Sequence, residues 1–320
     1  MSPKLLHKGS VKDIYEHATG ELMFRFSDRY SIFDWGEMPD LIPEKGASLA
    51  TTGDLLLGYL KKQGINTHYV GRGEGKEDLI VKAVDVPRDN IEIYQKRPSN
   101  ILIPLEVIYR FGVPKGSSLL KKFPGKYTEG QEFSQPLIDF TTKLERMDRP
   151  LTTDEAKLLA GMNGLEWQAL LDITGKIAGQ LKSVFQDAGL KLWDGKLEFA
   201  FDADRQIMLV DSIGMDEIRL TFEGRTLSKE LLRQYYLNSS WYQAINIAKE
   251  KSPSNFKNYC VQELKEEPAK LSTTVANAMS RVYQIVNQLI SNSLLNNNPD
   301  SKHKLQHELT EVLAVVAGSS

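Results

Sequence analysis

The chain has 320 residues, enough for one large α/β unit or two packed lobes around a core that needs no covalent staples. Its 40 basic and 42 acidic residues leave a net charge of -2 with no long block of either sign. That excludes a general field for nucleic acid or anionic membrane and makes any anion site local. The single cysteine, Cys260, excludes an internal disulfide framework and suits a reducing compartment. MSPKLLHKGS lacks a secretory apolar core, and no run approaches the roughly 18 unbroken apolar residues of a membrane span. The expectation is a soluble, cytoplasmic protein.

In chain order, DIYEH and ELMFRF read as strands, and residues 49–63 as a helix closed by Gly64, with Leu49, Leu55, Leu56, Tyr59 and Leu60 at helical spacing. THYVG, DLIVKAVDV and ILIPLEVIYR follow as strands, and a mostly antiparallel sheet is the economical arrangement. From Thr152 to Ala188 the texture turns helical. TTDEAKLLAGM opens with a threonine and early acids, and the next helix carries Leu165, Ala169, Ile173, Ile177, Leu181 and Phe185 at intervals of four.

KLEFAF, DADR and QIMLVDSI then read as a hairpin. A helix over 228–236, a polar SPSNFKN stretch and a long amphipathic helix over 271–295 complete the pattern. SNSLLNNNPDSKHK reads as a flexible link to a short final helix, with His303 and His307 on a solvated face.

Two stretches carry candidate chemistry. FSDRYSIFDWG, residues 26–36, gathers serine, aspartate and arginine where turn chemistry alone explains only part of the set. In the hairpin, a four-residue DADR loop sets Phe201 opposite Gln206 and Lys196 opposite Asp211. Lys196, Glu198 and Asp211 then share one sheet face, with the two carboxylates roughly 7–8 Å apart at the backbone. Such a pair suits Mg²⁺, which completes its shell with water and phosphate oxygens; a charged solvent face with little energetic weight is the equal alternative.

Read together, VKDIYE after a glycine, SDRYSIFD with IPEKG, IPLEVIYR with KGSS, TTKLERMD, KLEFAF and LVDSIGMDEIRL resemble the SAICAR synthetase (phosphoribosylaminoimidazole-succinocarboxamide synthase) family, in that family's order. The resemblance runs from Gly9 to Arg219. It implies an α+β, two-lobed fold: a mainly antiparallel sheet lobe over residues 1–98, a mixed α/β lobe with a helical C-terminal extension over 99–320, and an ATP cleft between them. It also implies the chemistry: ATP and Mg²⁺ activate the carboxylate of the ribonucleotide CAIR, and L-aspartate displaces phosphate to form an amide in purine biosynthesis.

On that resemblance Glu198 and Asp211 hold Mg²⁺ against the ATP phosphates while Lys12 and Lys196 offset phosphate charge, and Lys12, Lys196 and Asp216 form the catalytic set. Arg110 and Ser117 grip the substrate's 5′-phosphate. Ser31, Asp34 and Arg219 complete the substrate side, with Asp28 and Arg29 bracing the loop. The implied partners are small molecules, the CAIR-like nucleotide and L-aspartate; the oligomeric state is open.

This chain departs from the family pattern at Ser10, where Lys is usual, at Ser212, where a second acid is usual, at Ile32, and by one extra residue between Arg110 and Gly116. These departures keep two rivals in view. One is an amide ligase or phosphotransferase of the same fold acting on another small carboxylate. The other is a catalytically weak nucleotide-binding protein.

Overall fold

The computed structural model describes residues 3–88, 90–145, 148–295 and 299–318. Strands Leu5–Lys8 (β1), Lys12–Glu16 (β2), Glu21–Phe26 (β3), Tyr69–Arg72 (β4) and Asp78–Lys82 (β5) form one sheet in the order β1-β2-β3-β5-β4, all neighbours antiparallel. A second sheet runs β12-β11-β9-β6-β7-β8, with β10 also paired to β9. Its strands are Ile101–Gly112 (β6), Glu132–Thr142 (β7), Pro150–Leu151 (β8), Lys191–Phe201 (β9), Ile207–Val210 (β10), Ile218–Phe222 (β11) and Arg225–Thr226 (β12). Parallel bridges Thr67 to Leu209 and Asp85 to Ile101 tie the two sheets together. The α+β, two-lobed architecture is therefore as the sequence implied.

Helix α1, Lys45–Lys62, begins four residues before its expected start. Its first turn is satisfied from a distance: the Asp28 carboxylate accepts the N–H of Gly46 at 2.9 Å and of Glu44 at 3.2 Å. Only a glycine fits at 46, because a Cβ there would lie 2.8 Å from the Phe26 carbonyl oxygen. After α2, Ser118–Lys122, helices α3, Thr153–Leu159, and α4, Gly164–Asp187, open with reciprocal capping boxes, Thr152 with Glu155 and Asn163 with Glu166.

The buried face of α4 is Trp167, Leu170, Ile177, Ala178, Leu181, Val184 and Phe185, whereas Leu165 is 83 % exposed and Ala169 also faces out. The expected row of fours fails at its N-terminal end because a spacing of four drifts about 40° per step on a helix of 3.6 residues per turn.

Helices α5, Ser228–Tyr236, and α6, Ser240–Lys251, are followed by a 3₁₀ turn Pro253–Asn255 and α7, Phe256–Gln262, so the SPSNFKN stretch is largely helical. α8, Thr273–Leu294, packs on α1 and on α9, Pro299–Ala317. The final helix is long: α8 runs to Leu294 and α9 starts at Pro299, so most of the expected link is helical, and residues 296–298 lie outside the described residues. Leu309, Leu313 and Val316 bury against α8, and Arg281 donates to Glu308 at 2.5 and 2.9 Å across the pair. Among the described residues no helix is long and apolar enough to cross a membrane.

Candidate functional site

The site begins with strand alternation. Successive side chains of a strand point to opposite faces, so Glu106, Ile108 and Arg110 of β6 share a face, as do Asp194, Lys196 and Glu198 of β9. The β6–β9 register sets Glu106 opposite Glu198, Ile108 opposite Lys196 and Arg110 opposite Asp194. The result is one charged stripe across two neighbouring strands. The opposite face carries Leu105, Val107, Tyr109, Leu197 and Phe199, all buried in the core.

At one end the stripe reaches a cavity of about 260 Å³ between the sheets, whose walls include Ile14, Leu22, Phe24 and Leu102 and whose polar end holds Lys12, Lys143, Glu198 and Asp211. Gly9 shapes its mouth: its N–H donates to the Lys12 carbonyl at 3.0 Å, and a Cβ would meet that oxygen at 2.4 Å. Lys12 then projects from β2 over the Phe24 ring, 4.4 Å from its centroid, and pairs with Asp211 of the other sheet.

The hairpin that supplies Asp211 is one residue out of the expected register. Phe201 pairs with Ile207 and Glu198 with Val210, because the loop spans 202–206 and is closed by the Asp202 carboxylate, which accepts the N–H of Asp204 at 3.0 Å and of Gln206 at 2.8 Å. That slip alone would turn Asp211 to the wrong face. A left-handed backbone at Asp211, φ 62°, ends the strand and brings its side chain back to the same cavity as Glu198.

Electrostatics follows from this crowding. Burial, then the neighbouring Asp211 charge, raises the pKa of Glu198 against the pull of Lys143 and Lys196. Burial also disfavours the Asp211 carboxylate, but Lys12, Lys143 and Lys196 overcome it and hold the group well below the usual carboxylate range. Burial disfavours the Lys196 ammonium, yet Glu198 and Glu106 raise its pKa far above normal. Lys196 donates to Glu106 at 2.6 Å, and Lys143 to Glu198 at 2.6 Å. His68 Nε2–H donates to the Asp211 carbonyl at 2.9 Å, and burial pushes its pKa down to about 4.

At the other end the stripe opens into a cavity of about 300 Å³ that holds Arg110, Arg219, Lys229 and Arg233 beside Asp194, Asp216 and Glu217. Asp194 takes Arg110 at 3.2 Å and Arg219 at 2.8 Å, fixing two guanidinium groups side by side. Lys229 and Arg233 come from one face of α5, four residues apart. Asp216 lines the same cavity, but its oxygens accept from Lys45 at 2.7 Å and Tyr283 at 2.8 Å, both from helices behind it.

Of the residues expected from the sequence, Lys12, Glu198 and Asp211 meet in the first cavity, and Lys196, Arg110, Arg219 and Asp216 in the second. Three others stand apart. Ser117 is buried and caps α2, accepting the Leu119 N–H at 3.4 Å, while the next hydroxyl, Ser118, accepts from Arg110 at 3.1 Å and lines the cavity. Ser31 is half-buried outside both cavities. Asp34 is exposed, paired with Lys249 at 2.5 Å. Asp28 braces the start of α1, and Arg29 holds Asp13 at 2.6 Å and the Gly9 carbonyl at 3.1 Å.

Of the departures from the family pattern, Ile32 and Ser212 are buried outside both cavities, and only Ser10 lines the first one. Sequence reasoning missed Glu106, Lys143, Asp194, Lys45, Glu217, Lys229 and Arg233. The period-two alternation of β6 and β9 could have found Glu106 and Asp194. Arg146 and Met147 of the TTKLERMD stretch lie outside the described residues.

The family model for SAICAR synthetase matches residues 5–247. A relative from Archaeoglobus fulgidus is 36% identical over 269 residues, 74% of this chain and 81% of that protein. The phosphoribosylaminoimidazole-succinocarboxamide synthase of Thermoplasma acidophilum is 32% identical over 262 residues, 76% of this chain and 86% of its own length. Among solved structures, a SAICAR synthetase (Type-2) in complex with ADP superposes with a TM-score of 0.61 at 26% identity, covering 83% of this chain and 100% of that one. A Saccharomyces cerevisiae SAICAR synthase, at 22% identity and a TM-score of 0.65 over 92% of this chain and 96% of that one, shares the fold. The chain belongs to the SAICAR synthetase family.

Proposed function

We propose that the chain is an ATP-dependent ligase that joins L-aspartate to the carboxylate of CAIR, forming SAICAR in purine biosynthesis. The observation that carries this reading is the charged stripe of β6 and β9, which runs from an apolar-walled cavity to an arginine-lined one. ATP is assigned to the first: its base against Ile14, Leu22 and Leu102, its phosphates at Lys12 and Lys143, with Lys196 next to Glu198 at the edge of that cavity. The ADP complex of a family member supports nucleotide use. The phosphate of CAIR fits Arg110 and Arg219, with Lys229 and Arg233 adding charge. This directs the carboxylate of CAIR along the stripe toward the ATP phosphates. The lobe boundary near residues 98 and 99 falls between the two sheets, in keeping with a cleft there.

Glu198 and Asp211 are the residues that would hold Mg²⁺. Their hard carboxylate oxygens, both on the first cavity, suit it. Among the described residues no group of three or more His, Cys, Asp or Glu is arranged to hold an ion alone, and oxygens of the nucleotide phosphates and of water would have to complete the shell. Bound there, Mg²⁺ supplies charge neutralisation for phosphoryl transfer.

The protein's own part is positional and electrostatic. Lys196, kept charged by Glu106 and Glu198, stands between the two cavities and offsets charge on the transferring phosphoryl group. The γ-phosphoryl group passes to the CAIR carboxylate, and the aspartate nitrogen then displaces phosphate. With ATP as co-substrate, we place the activity in the cytoplasm. Incubation with ATP, Mg²⁺, CAIR and L-aspartate should yield the succinocarboxamide by mass spectrometry; absence of that product, with ATP bound, contradicts the reading.

A further inference from the structure

The chain leaves the β9 edge after Val210 and rejoins it at Ile218, and this excursion ends in a carboxylate that no role above uses. Glu217 is held by its backbone: its N–H donates to the Gly214 carbonyl at 3.1 Å, and its carbonyl accepts the Lys196 N–H at 3.0 Å. Its side chain lines the arginine-bearing cavity, and its Oε2 is buried with no hydrogen-bond partner among the described residues. The neighbouring carboxylates are all engaged: Glu106 and Glu198 by lysines, Asp194 by two arginines, Asp211 by Lys12, Asp216 by Lys45 and Tyr283.

The charged groups around Glu217 come from both cavities. Asp211 and Asp216 lie on its own turn, Lys12 on β2 and Lys196 on β9, and Lys229 of α5 and Tyr283 of α8 also face it. Lys45 of α1 faces its neighbour Asp216. Glu217 thus lines the substrate-side cavity at Lys196, with the nucleotide-side charges of Lys12 and Asp211 acting on it, close to where an activated carboxyl group must lie. Burial first, then the charges of Asp216 and Asp211, pushes its pKa up to about 7 against Lys12 and Lys196.

Resting on the ligase reading above, we infer that Glu217 is the general base of amide formation, taking a proton from the incoming ammonium group. The donor arrives as R–NH₃⁺. The Glu217 carboxylate takes one proton, the freed lone pair forms the C–N bond, and the C–O bond to phosphate breaks with its electron pair going to phosphate. The second proton lost from nitrogen leaves on that phosphate as HPO₄²⁻, and Glu217 later returns its proton to solvent. A base whose pKa lies near the working pH serves this step best.

The test compares wild type with Glu217→Gln using two nucleophiles, ATP and CAIR being present throughout. L-Aspartate must lose a proton before attack; hydroxylamine is already neutral at pH 7. Glu217→Gln should lower kcat with aspartate by about 100-fold, in the usual range for a lost general base, while hydroxamate formation falls less than about threefold. The wild-type rate with aspartate should rise with pH through an inflection near pH 7 that Glu217→Gln lacks and Glu217→Asp, which keeps a carboxylate, retains.

Equal losses with both nucleophiles, an unchanged aspartate rate in Glu217→Gln, or a Glu217→Asp profile without the inflection would overturn the assignment. A wild-type protein that makes neither amide nor hydroxamate would overturn the ligase reading and this inference with it. That outcome is distinct from hydroxamate formed by both proteins at unchanged aspartate rates, which removes Glu217 alone.

Discussion

Glu106 and Glu198 stand directly opposite each other on β6 and β9, and Lys143 reaches both, at 3.5 and 2.6 Å. Two carboxylates so placed repel unless cations sit between them, and Lys196 supplies the second, at 2.6 Å from Glu106 and 3.4 Å from Glu198. Lysines occupy the carboxylates here, and each ion pair offsets the repulsion between the two acids.

Asp211→Asn and Glu198→Gln should each lower Mg²⁺-dependent ATP turnover by about 100-fold or more, since each removes one charge from the oxygen set without changing volume. If both hold one Mg²⁺, as proposed, the double variant should be little worse than either single one. Steady-state ADP release across a Mg²⁺ titration reads this out; strict additivity would separate the two residues.

Arg219→Met should raise the KM for CAIR by about tenfold or more, with the KM for ATP and kcat little changed, if its contact is made equally in ground and transition states. Arg110→Met should do the same and also lower Tm, because Arg110 is only 4 % exposed and its loss leaves Asp139 and Asp194 short of a partner. A rise in the KM for ATP alone would put these arginines on the wrong ligand.

Lys45 is fully buried and its ammonium sits 2.7 Å from Asp216. Lys45→Met leaves a buried carboxylate with Tyr283 as hydrogen-bond donor and Lys229 as a nearby charge, and unfolding in urea should show a loss of about 3–5 kcal/mol. A loss below about 1 kcal/mol would mean that the pair is hydrated or dispensable.

His68 is neutral in the folded protein, its pKa lowered from 6.5 to about 4, chiefly by burial. As pH falls through 6.5 the unfolded chain takes up a proton that the native state refuses. Stability contributed above that pH is therefore lost progressively down to about pH 4, by about 3 kcal/mol at most. His68→Gln should flatten the stability difference between pH 7 and pH 5 relative to wild type in matched urea titrations; identical slopes would mean His68 is accessible to protons.

Much of this was legible. ILIPLEVIYR and KLEFAF announce strands, and the threonine and early acids of TTDEAKLLAGM announce a helix, because these signals are local. The misses arise where distant parts of the chain decide. Asp28, 18 positions before Gly46, lets α1 begin at Lys45. The Asp202 carboxylate makes the hairpin loop five residues long and shifts its register, and the left-handed backbone of Asp211 compensates, so the expected companionship of Glu198 and Asp211 holds for a different geometric reason. Ser117 and Ser118 are equivalent in sequence, and only the fold shows that one caps a helix while the other meets Arg110.

In the proposed reaction, phosphate released from ATP must have passed through the carboxylate of CAIR. CAIR labelled with ¹⁸O in that carboxylate, incubated with ATP, Mg²⁺ and L-aspartate, tests it directly. The account predicts ¹⁸O in the released phosphate, in proportion to SAICAR formed, and no label release when ATP is omitted. Unlabelled phosphate accompanying ADP release would contradict it.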